Sequence, residues 1–256
     1  MSQFIEQEVS ERIMQIRIKR PEKKNALTQE MYLGLAEALA AADDNPEVRV
    51  AVLTGSHGVF TSGNDIADFV SGGMKREELP VETLLRQLAA QRKPVIAAVP
   101  GMAIGIGVTM LLHCDLVYAS AGARLQMPFT KIGICPEAAS SLILPQIMGR
   151  QRASELLLLG EPFSAETALE LGLLNGVYAE TELLDQVLAV AGRLAAQPPN
   201  ALRQSKALIR KGNAAQIEAT IREEIKVLLP LIAGEEAQEA MMAFMQKRKP
   251  DFSRFN

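Results

Sequence analysis

Two short, largely apolar runs that each close on a glycine turn constrain this chain more than any other feature. One is residues 48–55 (VRVAVLTG); the other is residues 94–99 (PVIAAV), which Pro100 and Gly101 follow. Apolar runs of about four to eight residues bounded by turn residues read as strands buried on both faces. Such strands belong to sheets, mostly parallel, that helices cover. The neighbouring sequence agrees. Residues 13–18 (IMQIRI) alternate with the period of a half-buried strand, and Arg20-Pro21 ends it. Thr28 stands as the N-cap of a helix with Met31, Leu35 and Leu39 on one stripe, stopping near Asp43-Asp44-Asn45-Pro46. Residues 116–118 and 123–126 are further short strands. Strands alternating with helices predict an α/β fold.

From about Ser164 helical periodicity takes over, with helices expected over 182–196, 201–211, 214–229 and 235–248. Pro198-Pro199 interrupts the pattern and divides the chain into an α/β core, residues 1–197, and a helical region, residues 198–256. The amphipathic Met- and Leu-rich helices of that region need a surface to cover them. Their own core and a second subunit both serve, and the second makes a homo-oligomer the expectation. With 48% hydrophobic and 22% charged residues over 256 positions, a sizeable core forms without disulfides or metals.

Composition excludes several function classes. A formal net charge of -3 supplies no basic field for nucleic acid, and the absence of Trp with 4% aromatics leaves few stacking platforms. Cys114 and Cys135 sit in apolar stretches without zinc-ligand spacing and read as buried, reduced thiols. His57 and His113 are too far apart in sequence for a metal site, and neither has a recognisable nucleophile context. The N-terminus is rich in glutamate (Glu6, Glu8, Glu11) and lacks the apolar segment of a secretory signal. Pro100, His113 and Asp115 interrupt the most hydrophobic stretch, so no membrane span is expected. The C-terminal FSRFN is not a peroxisomal address, and the expected compartment is the cytoplasm.

Three segments hold candidate chemistry. Phe60-Thr61-Ser62-Gly63-Asn64-Asp65-Ile66 follows the first buried strand. Gly101-Met102-Ala103-Ile104-Gly105-Ile106-Gly107-Val108-Thr109 follows the second directly and reads as the opening of a helix. Glycine lets backbone approach a ligand, and a helix start leaves N–H groups unpaired. Two such donors converging on one point make an oxyanion hole, whereas each segment alone is equally a tight turn. Met110 stands where a dinucleotide fingerprint needs its third glycine, and no Gly-Lys-Ser/Thr phosphate loop occurs. The third segment, residues 132–141 (IGICPEAASS), holds Glu137 as a lone carboxylate among apolar and small residues. Desolvation raises the pKa of such a carboxyl toward that of a useful general base.

In this order and spacing the segments resemble the crotonase (enoyl-CoA hydratase/isomerase) superfamily. KPVIAAVPGMAIGIGVT resembles its second oxyanion-hole segment and FTSGNDI its first. RPEKKNALTQEM, LHCDLVYASAGARLQMPFTKIGI and LLLLGEPFSAETALELGLLNGVY extend the resemblance over nearly the whole chain. It implies a crotonase-like spiral of β-β-α units followed by C-terminal helices that pack as a trimer or a dimer of trimers. It implies an acyl-CoA thioester substrate, with coenzyme A part of the substrate and no separate cofactor. By the same resemblance the oxyanion donors are the backbone N–H groups of Asn64 and Ile106, beside Gly63 and Gly105. Ser62, Gly63, Asp65 and Ile66 then border the CoA adenine and pantetheine, and Lys23, Lys24, Ala26 and Leu27 lie in the loop that meets the nucleotide.

The departures from the family pattern bear on the reaction. A typical hydratase of the family uses two glutamates to hold a water, and Thr109 and Phe129 occupy those positions here. Neither side chain acts as a base. ICPEAASS resembles instead the S-P-E-G-C-S-S segment of the Δ3,Δ2-enoyl-CoA isomerases, where that glutamate is the sole base, with Ala138 and Ala139 replacing Gly-Cys. The resemblance thus implies migration of a double bond from 3-enoyl-CoA to trans-2-enoyl-CoA, with Glu137 as general base and no metal. Hydration or another acyl-CoA reaction on the same scaffold, and a non-catalytic acyl-CoA-binding role, are the alternatives. Met241, Met242 and Met245 read as helix packing or a subunit contact, Asp65 and Asp68 as capping or solvated, and His113 as core packing.

Overall fold

The computed structural model describes residues 2–65, 67 and 79–255. Among them ten strands occur: β1 (Ile5–Ser10), β2 (Ile13–Ile18), β3 (Val50–Thr54), β4 (Val59–Thr61), β5 (Val95–Val99), β6 (Met102–Ile104), β7 (Leu116–Ser120), β8 (Arg124–Gln126), β9 (Phe163–Ser164) and β10 (Gly176–Tyr178). They form a six-stranded sheet in the order β1-β2-β3-β5-β7-β10 and a four-stranded sheet in the order β4-β6-β8-β9. β1–β2 and β8–β9 pair antiparallel; the other pairs are parallel.

The pairs β3–β4, β5–β6 and β7–β8 repeat one step. Each has a strand in the larger sheet, a tight turn, and a short strand in the smaller one. Helices follow the repeats, so the chain advances as a spiral of β-β-α units. Glycine is required where successive turns touch. Gly101 has φ +87°, and a Cβ there would lie 2.0 Å from the Gly58 carbonyl oxygen of the preceding turn.

β3 is buried along its whole length because both faces are covered. Val50 and Val52 point with Ile13, Ile96 and Ala98 toward the helix Leu183–Ala195, which contributes Leu183, Val187, Val190 and Ala191. Ala51 and Leu53 point the other way, into the main core with Met31, Leu35 and Leu39 of the helix Gln29–Asp44. Full burial of each aliphatic side chain contributes about 1.5–3 kcal/mol. Thr28 caps that helix as expected, its hydroxyl accepting from the Met31 N–H at 3.3 Å.

Two local readings need correction. Residues 102–104 do not open a helix; they form β6 between β4 and β8, and the helix Ile106–Thr109 starts after Gly105, whose φ of +56° breaks the strand. A three-residue strand carries too little pattern to separate it from a helix start. β1 is unheralded because it lies at the sheet edge with only Ile5 buried among its six residues.

In the C-terminal part, helices span Pro199–Lys211, Ala214–Ala233 and Glu235–Met245. Ile221 belongs to the main core, so the region packs on the chain's own body. On the last helix Ala237, Ala240 and Ala243 are buried while Met242 and Met245 are exposed, so those two methionines are not intrachain packing. Leu208 (69% exposed) and Ile209 (83%) also stand out from the surface. No described helix is long and apolar enough to cross a membrane.

Candidate active site

The first glycine segment is built on a buried asparagine. Asn25, in the left-handed region at φ +56°, donates through Nδ2 to the carbonyl oxygens of Ser56 (3.2 Å) and Val59 (2.8 Å). Its Oδ1 accepts the Arg20 N–H at 2.8 Å, and its own carbonyl accepts the Thr61 hydroxyl at 2.7 Å. The loop carrying Lys23, Lys24, Ala26 and Leu27 is therefore bound to the loop carrying Ser62 to Asp65. Ser62 N–H donates to Lys24 O (3.1 Å), Leu27 N–H to Gly63 O (2.8 Å), and Asp65 N–H to Leu27 O (2.8 Å). Lys23 and Lys24 are exposed, whereas Ala26 and Leu27 are buried.

Leu27 and Asn64 form a parallel bridge in which Leu27 bonds to the residues on either side of Asn64. The Asn64 N–H therefore faces away from Leu27. Gly63, at φ +89°, brings this backbone against the second segment, since a Cβ there would stand 3.0 Å from the Ile104 carbonyl oxygen. A Cβ on Gly107 would likewise lie 2.5 Å from Cγ2 of Thr61. The two segments thus run side by side.

In the second segment, Gly105 N–H donates to Gln126 O at 2.8 Å, and the Val108 and Thr109 N–H groups both point to Gly105 O. Ile106 is the first residue of the short helix, where an N–H has no intrahelical acceptor. Neither the Asn64 N–H nor the Ile106 N–H finds an acceptor among the described residues. Two free amides on adjoining glycine-bordered backbones are what an oxyanion requires.

Thr109 closes the same helix, about 4.5 Å along the axis from Ile106. Its hydroxyl donates to Oε1 of Glu137 at 2.5 Å. Glu137 is 8% exposed, and its second oxygen, Oε2, is buried without a hydrogen-bond partner. Burial pushes its pKa up to about 8; the Thr109 hydrogen bond opposes the rise and the charge of Glu224 adds to it. Glu137 is thus not a lone carboxylate, as the sequence suggested.

The turn bearing Glu137 is unusual in having two consecutive left-handed non-glycine residues, Ala138 (φ +61°) and Ala139 (φ +55°). Cβ crowding makes that conformation cost about 1–2 kcal/mol per residue. Outside contacts hold it. His113 donates from Nε2 to the Ala138 carbonyl at 2.8 Å, and burial keeps that imidazole neutral by lowering its pKa to about 4. Glu224 accepts from the Ala139 N–H at 2.6 Å and the Ser141 N–H at 3.1 Å.

The other expected site residues fare differently. Asp65 is not simply solvated: it pairs with Arg20 at 2.7 Å and accepts the Ala67 N–H at 3.0 Å. Phe129 is buried, and its carbonyl accepts the Ile134 N–H of the Glu137 loop at 3.0 Å. Ile66 and Asp68 lie outside the described residues. Cys114 and Cys135 are free but half-buried rather than fully buried. Among the described residues no group of three or more His, Cys, Asp or Glu is placed to hold a metal. Sequence reasoning passed over Asn25, Tyr32 and Glu224, and it read His113 as core packing, which its burial bears out, without its bond to the Ala138 carbonyl. Tyr32, buried on the first long helix, donates its hydroxyl to the Asn64 side chain. The one local signal for Asn25 was its residue type, since asparagine tolerates the left-handed region.

Comparison with known proteins places the chain in a family. A family model described as enoyl-CoA hydratase/isomerase matches residues 8–254. Enoyl-CoA delta isomerase 2 of Rattus norvegicus is 38% identical over 244 residues, 93% of this chain, which spans 62% of the rat protein's length. The 2,3-dehydroadipyl-CoA hydratase of Escherichia coli K12 is 32% identical, with 94% of this chain and 95% of that protein covered. The crystal structure of an enoyl-CoA hydratase/isomerase from Pseudoalteromonas atlantica T6c superposes with a TM-score of 0.93 at 38% identity, covering 98% of this chain and 100% of that one.

Proposed function

The chain belongs to the enoyl-CoA hydratase/isomerase family, and on that basis we propose that it moves the double bond of 3-enoyl-CoA thioesters to give trans-2-enoyl-CoA. The observation that carries this reading is that Glu137 is the one candidate base placed at the site among the described residues. Glu137 presents one unpartnered oxygen, and the hydratase glutamate positions hold Thr109, bonded to Glu137, and Phe129.

The thioester carbonyl sits between the N–H groups of Asn64 and Ile106, which bind the developing enolate oxygen more tightly than the ground-state carbonyl. Oε2 of Glu137 takes a proton from C2, the electron pair moves through the enolate, and the same carboxyl returns the proton to C4. No atom is gained or lost, and the chemistry asks nothing of a metal or redox group. Loss of one oxyanion donor costs about 10²–10³ in rate. The mutually bonded loops with exposed Lys23 and Lys24 support a CoA site beside Ser62 to Asp65, the lysines pairing with CoA phosphates. The exposed Leu208, Ile209 and Met245 support assembly of several copies, as a trimer or a dimer of trimers.

The test is turnover of 3-hexenoyl-CoA and hydration of crotonyl-CoA by the parent protein and by Glu137→Gln. Isomerisation that vanishes in the variant, with little hydration by the parent, is the expected result. Isomerisation by Glu137→Gln at the parent rate eliminates the assignment, and fast hydration by the parent replaces it with the hydratase reading.

A further inference from the structure

We propose that Glu224, on the helix Ala214–Ala233, is a positioning residue for Glu137, gripping the backbone on both sides of that carboxylate and setting its charge environment. The proposal deepens the isomerase reading and rests on it for the role of Glu137.

The geometry is a clamp made by one residue. After Glu137, the Glu224 carboxylate accepts from the Ala139 N–H at 2.6 Å, the Ser141 N–H at 3.1 Å and the Ser141 hydroxyl at 2.5 Å. Before Glu137, the Cys135 thiol donates to the Glu224 backbone carbonyl at 3.8 Å. Ala139 stands at the N-cap of the helix Ser140–Met148 and has no acceptor of its own, so the cap arrives from 85 residues away. The next helix docks on the same loop: Gly133 lies so close to it that a Cβ would stand 2.6 Å from the Ala237 nitrogen.

A serine at position 139 would cap this helix without bringing a carboxylate out of water. Glu224 is 7% exposed, and burial raises its pKa against the pull of its three hydrogen bonds. What a carboxylate adds over a neutral cap is charge. Both oxygens face donors, which suits the ionised form. Its field makes Glu137 more basic and reinforces the effect of burial on that group. The other titratable groups facing this pair are quiet. Burial holds the Cys135 thiol protonated and His113 neutral, and Arg210 behind His113 is bonded to Asp115 and to the His113 carbonyl. On the flanking helix Glu235–Met245, Glu239 pairs with Arg248.

The deciding measurement is the pH dependence of kcat and KM for 3-hexenoyl-CoA in the parent, Glu224→Gln and Ser141→Ala, with melting temperatures alongside. Glu224→Gln removes the charge and opposes two backbone donors with an amide. It is expected to lower kcat about 10- to 100-fold with KM within about twofold, as small misplacements of a reacting group do. Its alkaline-rising limb should move to lower pH. Ser141→Ala keeps the charge and is expected to lower kcat about threefold to tenfold with the limb in place. An unchanged limb in Glu224→Gln overturns the proposal, and so does an unchanged kcat in Ser141→Ala, which decides the matter if Glu224→Gln does not fold. Infrared difference titration of the Glu137 carboxyl, parent against Glu137→Gln, repeated in the Ser141→Ala and Glu224→Gln backgrounds, needs no substrate. A parent without isomerase activity therefore sinks the isomerase reading alone, while a Glu137 titration insensitive to Glu224→Gln sinks this one.

Discussion

The Thr109 hydroxyl donates to Oε1 of Glu137 across 2.5 Å, from the last residue of the helix whose first N–H is that of Ile106, the proposed oxyanion donor. One helical turn thus links the group proposed to receive negative charge with the group proposed to move the proton. It leaves Oε2 free and holds Oε1, so the carboxylate meets substrate in one orientation. Thr109→Val keeps the shape and removes the donor. Since that bond opposes the rise in the Glu137 pKa, its loss moves the alkaline-rising limb of kcat/KM to higher pH. A hydrogen bond to a charged group is worth about 1.5–3 kcal/mol, so kcat/KM near neutrality should fall at least tenfold, with Thr109→Ser restoring most of it. A pH–rate profile of Thr109→Val that overlies the parent's refutes the arrangement.

Glu137 also sets a pH dependence of stability. An unfolded glutamate titrates near 4.5, and folded Glu137 titrates at about 8. Between those values the folded protein keeps a proton the unfolded chain has lost, so stability falls as pH rises through this window. The slope reaches about 1.4 kcal/mol per pH unit for one group. Glu137→Gln carries no such proton. Its melting temperature should gain on the parent's from pH 5 to pH 8 and level off above. A gap of constant size from pH 5 to pH 9, read by calorimetry, contradicts the shifted titration.

Gly63→Ala separates the backbone of the oxyanion site from global stability. The residue holds φ +89°, and the added Cβ meets the Ile104 carbonyl at 3.0 Å. Left-handed strain of about 1–3 kcal/mol lowers the melting temperature by only a few degrees in a domain this size. Because the Cβ pushes this backbone against the Ile104 carbonyl next to Asn64, a displaced Asn64 amide is the expected result, and kcat should fall by about 10² or more. Full activity in Gly63→Ala would mean that the Asn64 amide is not a donor.

A different contact of the C-terminal helices is structural. Lys206 is buried and donates to Asp115 at 2.7 Å and to the Lys93 carbonyl at 2.6 Å. Asp115 keeps Arg210 and the Val95 N–H when Lys206 is gone. Lys206→Met should therefore cost about 1–3 kcal/mol in urea unfolding while leaving kcat near the parent value. A selective loss of kcat would place this network in the reaction rather than in the frame.

Much of the molecule follows from local pattern. The alternation of residues 13–18 and the Thr28 cap act through neighbours a few positions away, and the structure shows both in those roles, while the left-handed backbone at Gly63, Gly101 and Gly105 is of a kind that the residue type itself admits. The types of residue at 109, 129 and 137 bear on the reaction before any coordinate does, because the ability to take a proton belongs to the side chain. Other features have no local signature. β6 exists because β4 and β8 flank it, and the reduced charge of Glu137 exists because assembled walls exclude water from its carboxyl. Glu224 reads in sequence as one of several glutamates on an amphipathic helix; its meeting with the Ala139 amide spans 85 positions. Secondary structure and chemical type are short-range properties that a sequence carries by itself. Desolvation, the orientation of an amide and the nearness of two carboxylates depend on which distant segments share a space, and folding alone decides that.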